Sequence, residues 1–266
     1  MRLNLETDKM IAEKDSGIGW ITFNNPARRN ATTYDMWAAI PKILDDYGRD
    51  DNVRVVVLRG AGDKAFVSGA DISEFAEKRN TPEQVAAYNA NTERAHKAFH
   101  QFEKPILGMI QGFCIGGGLA VALDTDIRIA SEDSKFGVPA AKLGLGYAFE
   151  GIRHLMQLVG PAYAQEIFFT ARQFTAAEAL RMGLINKVVP AAELEATVRE
   201  YAGTIAANAP LTIKAAKAAV QEGMATEGQR DLDRVARMVK ECFESGDYIE
   251  GRTAFMEKRK PHFKGR

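Results

Sequence analysis

The sequence predicts an α/β fold, and three observations carry that reading. Residues 53–60 (VRVVVLRG) and 105–110 (PILGMI) are apolar runs of strand length, bounded by turn residues. Each runs into a glycine-bearing passage, Ser68-Gly69-Ala70 and Gly112 to Gly118, and then into a helix. From residue 192 onward the composition shifts to Ala, Lys and Glu with apolar residues at helical spacing.

In order, Met10–Glu13 and Ile18–Phe23 read as a hairpin around Asp15-Ser16-Gly17. A turn-rich basic loop, Asn24 to Ala31, leads to a helix from Tyr34 to Tyr47 that Thr32 or Thr33 caps. The strand 53–60 ends at KAFVSGADI (64–72), where Asp71 caps the next helical start. Thr81-Pro82 opens a long helix to Phe102. After the glycine turn come a short helix, Leu119–Leu123, and a strand, Asp126–Ala130. Residues 136–151 are dense in Gly and Pro and read as a loop. Helices follow at Ile152–Val159 and Tyr163–Phe169, the second opened by Pro161. Thr175 caps Ala176–Met182, Gly183 ends it, and Leu184–Val189 reads as a strand. The remaining helices are Leu194–Asn208, Leu211–Gly223, Gln229–Glu244 and Tyr248–Arg259. A soft boundary near 200 divides a core, 1–200, from a helical region, 201–266. No internal repeat or low-complexity segment stands out.

Composition narrows the function classes. With 35 basic and 35 acidic residues the formal net charge is +0, so nothing draws the chain to nucleic acid or anionic membrane. Cys114 and Cys242 are too few for a disulfide framework, which fits a reducing compartment. No apolar run reaches the roughly 18 residues a membrane span needs. The start, MRLNLETDKMIAEKD, is too polar for a secretory signal. The expected location is cytoplasmic. His96 and His100 share a helix face, but no third ligand is spaced nearby, so no metal site is read and both histidines are expected to be partly exposed.

The two glycine sites carry the chemistry. Three glycines in a row, Gly116 to Gly118, cost chain entropy and suit a place where backbone approaches a partner. A helix starting there adds unpaired N–H groups and a positive dipole end, which favour an anion. Gly69-Ala70 presents backbone N–H groups in the same way, and two such sites converging on one carbonyl oxygen form an oxyanion hole. The alternative is a tight turn that lets a helix pack closely on a sheet.

FVSGADI, then QGFCIGGG, then DIRIA resembles the crotonase (enoyl-CoA hydratase/isomerase) superfamily over almost the whole chain. The resemblance implies a crotonase-like spiral of strand-strand-helix turns, with a C-terminal helical region that drives trimers, often doubled to hexamers. It implies acyl-CoA thioester substrates, a thioester enolate intermediate and no tightly bound cofactor, coenzyme A being part of the substrate. The enolate-holding N–H groups match Ala70 and Gly117. In the NxPxxxNA loop, Arg28 and Arg29 become candidates for the phosphates of coenzyme A, or a solvated basic loop. Ala70 also lines the ligand, and Phe255 and Lys258 match positions that reach the coenzyme A of a neighbouring subunit.

The side chains depart from the hydratase pattern. By the resemblance, the two hydratase glutamates fall at Ala120 and Ala140, and the acid of family isomerases falls at Ala148. Alanine transfers no proton. Tyr147 and Glu150 remain in the loop. LGLGYAFEGIRHL resembles methylmalonyl-CoA decarboxylases, which carry a tyrosine at the place of Tyr147, lack the hydratase glutamates, and have a different residue in place of Ala70. Glu150 either enters the pocket as a base or stands exposed in a first helical turn. The expected function is an acyl-CoA-processing, hydratase-type lyase with atypical side chains; the alternatives are a malonyl-type decarboxylase or a non-catalytic acyl-CoA binder.

Overall fold

Apolar strands flanked by amphipathic helices bury their surface most readily as a sheet covered on both faces, and the chain does this. The computed structural model describes residues 2–266, with only the backbone considered at Phe75 and Ala76. Six strands form the larger sheet in the order β1 (Met10–Asp15), β2 (Ile18–Phe23), β3 (Val55–Gly60), β5 (Ile106–Ile110), β7 (Ile127–Ser131) and β10 (Lys187–Val189). The β1–β2 pair is antiparallel, closed by Ser16 and Gly17 at positive φ, and every later pair is parallel. A smaller sheet has the order β4 (Ala65–Val67), β6 (Phe113–Ile115), β8 (Lys135–Gly137) and β9 (Phe174–Thr175).

The helices are α1 (Tyr34–Arg49), α2 (Phe75–Lys78), α3 (Pro82–Gln101), α4 (Gly117–Leu123), α5 (Ala140–Leu143), α6 (Phe149–Thr170), α7 (Ala176–Arg181), α8 (Leu194–Ala207), α9 (Pro210–Met224), α10 (Leu232–Glu244) and α11 (Gly246–Met256). A strand of the large sheet, a short strand of the small one and a helix follow one another three times: β3-β4-α2, β5-β6-α4 and β7-β8-α5. This is the spiral of strand-strand-helix turns that the resemblance implies. Two of its short strands meet stretches that read as turn or loop: β6 lies within Gly112 to Gly118, and β8 runs into 136–151. Three residues between glycines show no period.

Alternation along the strands splits the core in two. Val56 and Leu58 of β3 face a cluster with Ile40, Ile43, Phe66 and Phe99, while Val55 and Val57 face Leu107, Ile129, Val198 and Ala202. Each such side chain contributes roughly 1.5–3 kcal/mol by leaving water. Leu194, Val198 and Ala202 are the apolar face of α8, which covers the sheet. A boundary at 200 therefore falls inside a helix of the core, and the chain leaves that face at Asn208. α6 breaks at Gly160 (φ 75°) before Pro161, as its two separate helical stretches predict, but its first part starts earlier, at Phe149. No helix among the described residues is long and apolar enough to cross a membrane.

Candidate functional site

The site forms where the ends of β4 and β6 meet the start of α4. Past Val67, Gly69 holds φ at +110°, a conformation that residues with a Cβ rarely adopt. The Thr32 N–H donates to the Gly69 carbonyl (2.8 Å), and the Asp71 N–H donates to the Thr32 carbonyl (2.9 Å). These bonds flank Ala70 in a parallel bridge, so its own N–H faces away from Thr32. On the other side, the Gly116 N–H donates to the Gly137 carbonyl (2.8 Å) and its carbonyl caps α4. Gly117 is the first residue of that helix, so its N–H lies outside the helical ladder.

The two amides stand together. A β-carbon placed on Gly117 would lie 3.8 Å from the Ala70 nitrogen, and one on Gly69 would lie 3.9 Å from the Gly117 nitrogen. Among the described residues neither N–H has an acceptor. Close packing fixes this approach: a β-carbon on Gly118 would fall 1.9 Å from the Val67 carbonyl oxygen. The close packing that a tight turn allows is therefore present at Gly118, while Gly117 keeps its N–H outside the helical ladder beside the Ala70 amide.

The basic loop borders the first amide. The Ser68 N–H donates to the Arg29 carbonyl (3.2 Å) and the Ser68 hydroxyl to the Arg28 carbonyl (3.3 Å). Asn30, fully buried, donates to the Ala61 and Ala65 carbonyls and accepts from the Asn25 N–H, so this asparagine staples the loop to β3 and β4. Arg28 is exposed; the Arg29 guanidinium lies over the Phe113 ring, 5.0 Å from its centre. Asp71 is buried, yet Ser73, through its N–H and hydroxyl, and the charge of Arg28 hold its carboxyl below the usual range. It is the cap the sequence predicts.

The side chains at the mouth differ in setting. Ala120 is half-buried on α4 and Ala140 is buried at the start of α5. The Tyr147 ring meets Phe168 edge-on at 5.0 Å, and burial pushes its phenol above the ordinary value. Glu150 sits exposed in the first turn of α6, where both Nε (3.0 Å) and a terminal nitrogen (2.9 Å) of Arg153 donate to its Oε2. Phe255, at the end of α11, is 82% exposed, and Lys258 follows at φ 55°. Among the described residues, neither shares a hydrogen bond or ring contact with the amide pair.

No group of three or more His, Cys, Asp or Glu residues among those described is placed to hold a metal ion. His96 instead bonds Asp124, its Nδ1 lying 2.6 Å from Oδ2, while His100 is exposed. Sequence reasoning paired the two histidines with each other and missed Asp124, which lies on another element with no spacing to announce it.

The sequence profile described as enoyl-CoA hydratase/isomerase matches residues 13–266. The chain is 37% identical to the short-chain-enoyl-CoA hydratase of Clostridium acetobutylicum, over 96% of this chain and 97% of that protein. It is 36% identical to the crotonyl-CoA hydratase of Syntrophomonas wolfei, over 96% and 98%. Among solved structures it resembles an enoyl-CoA hydratase/carnithine racemase from Magnetospirillum magneticum, with a TM-score of 0.90 at 35% identity over 98% and 97% of the two chains. An enoyl-CoA hydratase from Bacillus anthracis gives 0.88 at 32% identity, over 97% and 100%.

Proposed function

The chain belongs to the enoyl-CoA hydratase/isomerase family, and on that premise we propose that it processes acyl-CoA thioesters through an enolate held by the Ala70 and Gly117 N–H groups. The observation that carries this is the close approach of two amides outside the ladder bonds, one of them at a helix N-terminus. As the thioester carbonyl becomes an enolate, its oxygen gains charge. Two preset donors, one aided by the α4 dipole, stabilise that charge more than the neutral carbonyl.

Coenzyme A enters as part of the substrate and no tightly bound cofactor is needed. Arg28 and Arg29 lie on the loop bonded to Ser68, in reach of a ligand that occupies the amide pair from that side. The Tyr147 phenol, with its pKa raised, stays protonated at neutral pH and donates a hydrogen bond rather than accepting a proton. Glu150 is the one carboxylate in residues 136–151, and it reaches a substrate as base when it leaves Arg153.

The relatives' names favour hydration: water adds at C3 of an enoyl thioester, the enolate forms, and C2 takes a proton. The alanines at 120 and 140 and the engaged Glu150 favour a second reading, loss of carbon dioxide from a malonyl-type thioester. There the C–C bond electrons become the enolate directly, so no base is required.

Mass spectrometry of the purified protein with crotonyl-, methylmalonyl- and 3-hydroxybutyryl-CoA tests the proposal. A mass gain of water supports the first reading and loss of carbon dioxide the second. No turnover, and no exchange of α-hydrogen for deuterium in any thioester, would sink both and leave a binder.

A further inference from the structure

Two separate elements aim the amides. Thr32, next to the α1 cap Thr33, holds Ala70 through the bonds to Gly69 and Asp71, whereas Gly117 is the first residue of α4. One side chain touches both helices. The His96 ring of α3 lies 5.3 Å, centre to centre, from Trp37, whose N–H donates to the Thr33 carbonyl one turn back along α1. The same imidazole bonds Asp124, the residue that closes α4.

We propose that His96 is a positioning residue for the amide pair: through Trp37 and Asp124 it braces α1 against α4 and so sets how the Ala70 and Gly117 N–H groups meet. The inference rests on the reading of that pair as an enolate site. α4 has only seven residues, about two turns, so fixing its C-terminal end fixes its first residue too. Asp124 places negative charge at the negative end of the α4 dipole, an unfavourable arrangement unless a cation faces it. When protonated, the imidazole at 2.6 Å supplies that cation and a charge-assisted bond.

The groups around Asp124 agree with this assignment. Burial lowers the His96 pKa, but the charge of Asp124 and its hydrogen bond outweigh that, and the imidazole titrates above its ordinary value. His154 of α6 also feels the charge of that carboxylate, which raises its pKa. It is held below the ordinary value, first by burial and then by the positive fields of Arg128, His100 and Arg153. Of the two histidines, His96 is therefore the one whose surroundings favour the charged form. Its support is complete below the ordinary histidine range and is lost as pH rises through its raised value.

The test uses acetoacetyl-CoA, whose enolate absorbs in the near ultraviolet. With the wild type the enolate band should grow on binding. His96→Gln and Asp124→Asn should each cut the bound enolate about tenfold, and the double variant no further, as expected for two groups acting as one coupled pair. Affinity for free coenzyme A, read by calorimetry, should stay unchanged, and so should the band in His100→Gln. Because coupling is reciprocal, acetoacetyl-CoA should also raise the His96 pKa in an NMR titration of the wild type. That measurement holds even where a variant fails to fold. An unshifted His96 titration, or full enolate bands in both folded variants, would overturn the assignment while leaving the amide pair intact. No enolate band in the wild type would instead overturn the site itself, and this inference with it.

Discussion

The Ala70 nitrogen stands 3.8 Å from the point that a β-carbon on Gly117 would occupy. That distance is ordinary van der Waals contact, so a methyl group fits there without breaking the backbone. On the proposed reading it would stand between the two amides and crowd an oxygen that they share. One residue further on, the corresponding point lies 1.9 Å from the Val67 carbonyl oxygen, where no methyl fits. Neighbouring glycines thus differ: Gly118 is required for close helix–strand packing, while Gly117 is not, which fits the ligand position proposed for it.

Gly117→Ala should therefore fold like the wild type and lose its chemistry. Displacing an oxyanion from one donor costs about 3 kcal/mol of barrier, roughly 100- to 1,000-fold in kcat. Gly118→Ala should lose stability instead, by about 3 kcal/mol or more from overpacking. Thermal unfolding and turnover measured on both proteins separate the two. Wild-type turnover in a folded Gly117→Ala would remove Gly117 from the site.

Crotonyl-CoA hydration should be slow. Ala120 and Ala140 carry no proton, and each general acid–base group is worth about 100-fold or more. The loss of enoyl absorbance in stopped flow should give a kcat orders of magnitude below a diffusion-limited hydratase. Tyr147→Phe should lower turnover on the preferred thioester with little change in KM, because only the phenol hydroxyl is removed. Fast hydration by the wild type would shift the work to Glu150, and Glu150→Gln would then be nearly inactive.

Legibility in the sequence followed the range of the forces involved. The hairpin at Ser16-Gly17, the Thr33 and Thr175 caps and the break at Gly160-Pro161 rest on local chemistry, and each reads from a few residues. The glycines of the amide pair were legible because glycine marks positions where backbone must come close. β6 was not, since Phe113–Ile115 is too short to show alternation and lies between glycines. Asn30 read as one more polar loop residue, yet it is fully buried and bonds two strand-end carbonyls. The His96–Asp124 bond joins α3 to α4, and only the fold brings those positions together.

The two arginines of the basic loop should separate by role. Arg28 is exposed and acts on Asp71 only through its charge, with no salt bridge of its own among the described residues, so its guanidinium can meet a phosphate. Arg28→Ala should raise KM for acyl-CoA several-fold, leave kcat alone, and flatten the dependence of KM on salt. Arg29 also packs on Phe113, in the strand that leads to Gly117, so Arg29→Ala should disturb stability as well as binding. Steady-state kinetics at two salt concentrations, with a melting curve for each variant, decides between them. An unchanged KM in both variants would return the loop to a solvated surface.

Assembly is the remaining expectation. α10 buries none of its residues within the chain, although Leu232, Val239 and Phe243 line it at helical spacing and stand 62%, 43% and 62% exposed. Ile249, Phe255 and Met256 of α11 add exposed apolar surface nearby in sequence. Exposed apolar side chains in this number are costly in water, and a contact with another molecule is the expected way to cover them. The family resemblance implies the partner, two further copies of the chain, and would bring Phe255 and Lys258 toward a neighbour's ligand. Light scattering at micromolar concentration should give three or six times the 29.2 kDa of one chain. Phe243→Glu should shift that mass downward, because a buried unpaired charge costs several kcal/mol (about 3 or more). Phe255→Ala should keep the assembly but raise KM for acyl-CoA, since its ring would meet the ligand rather than the interface core. A wild-type mass near one chain would end both the assembly and the shared-site role of Phe255 and Lys258.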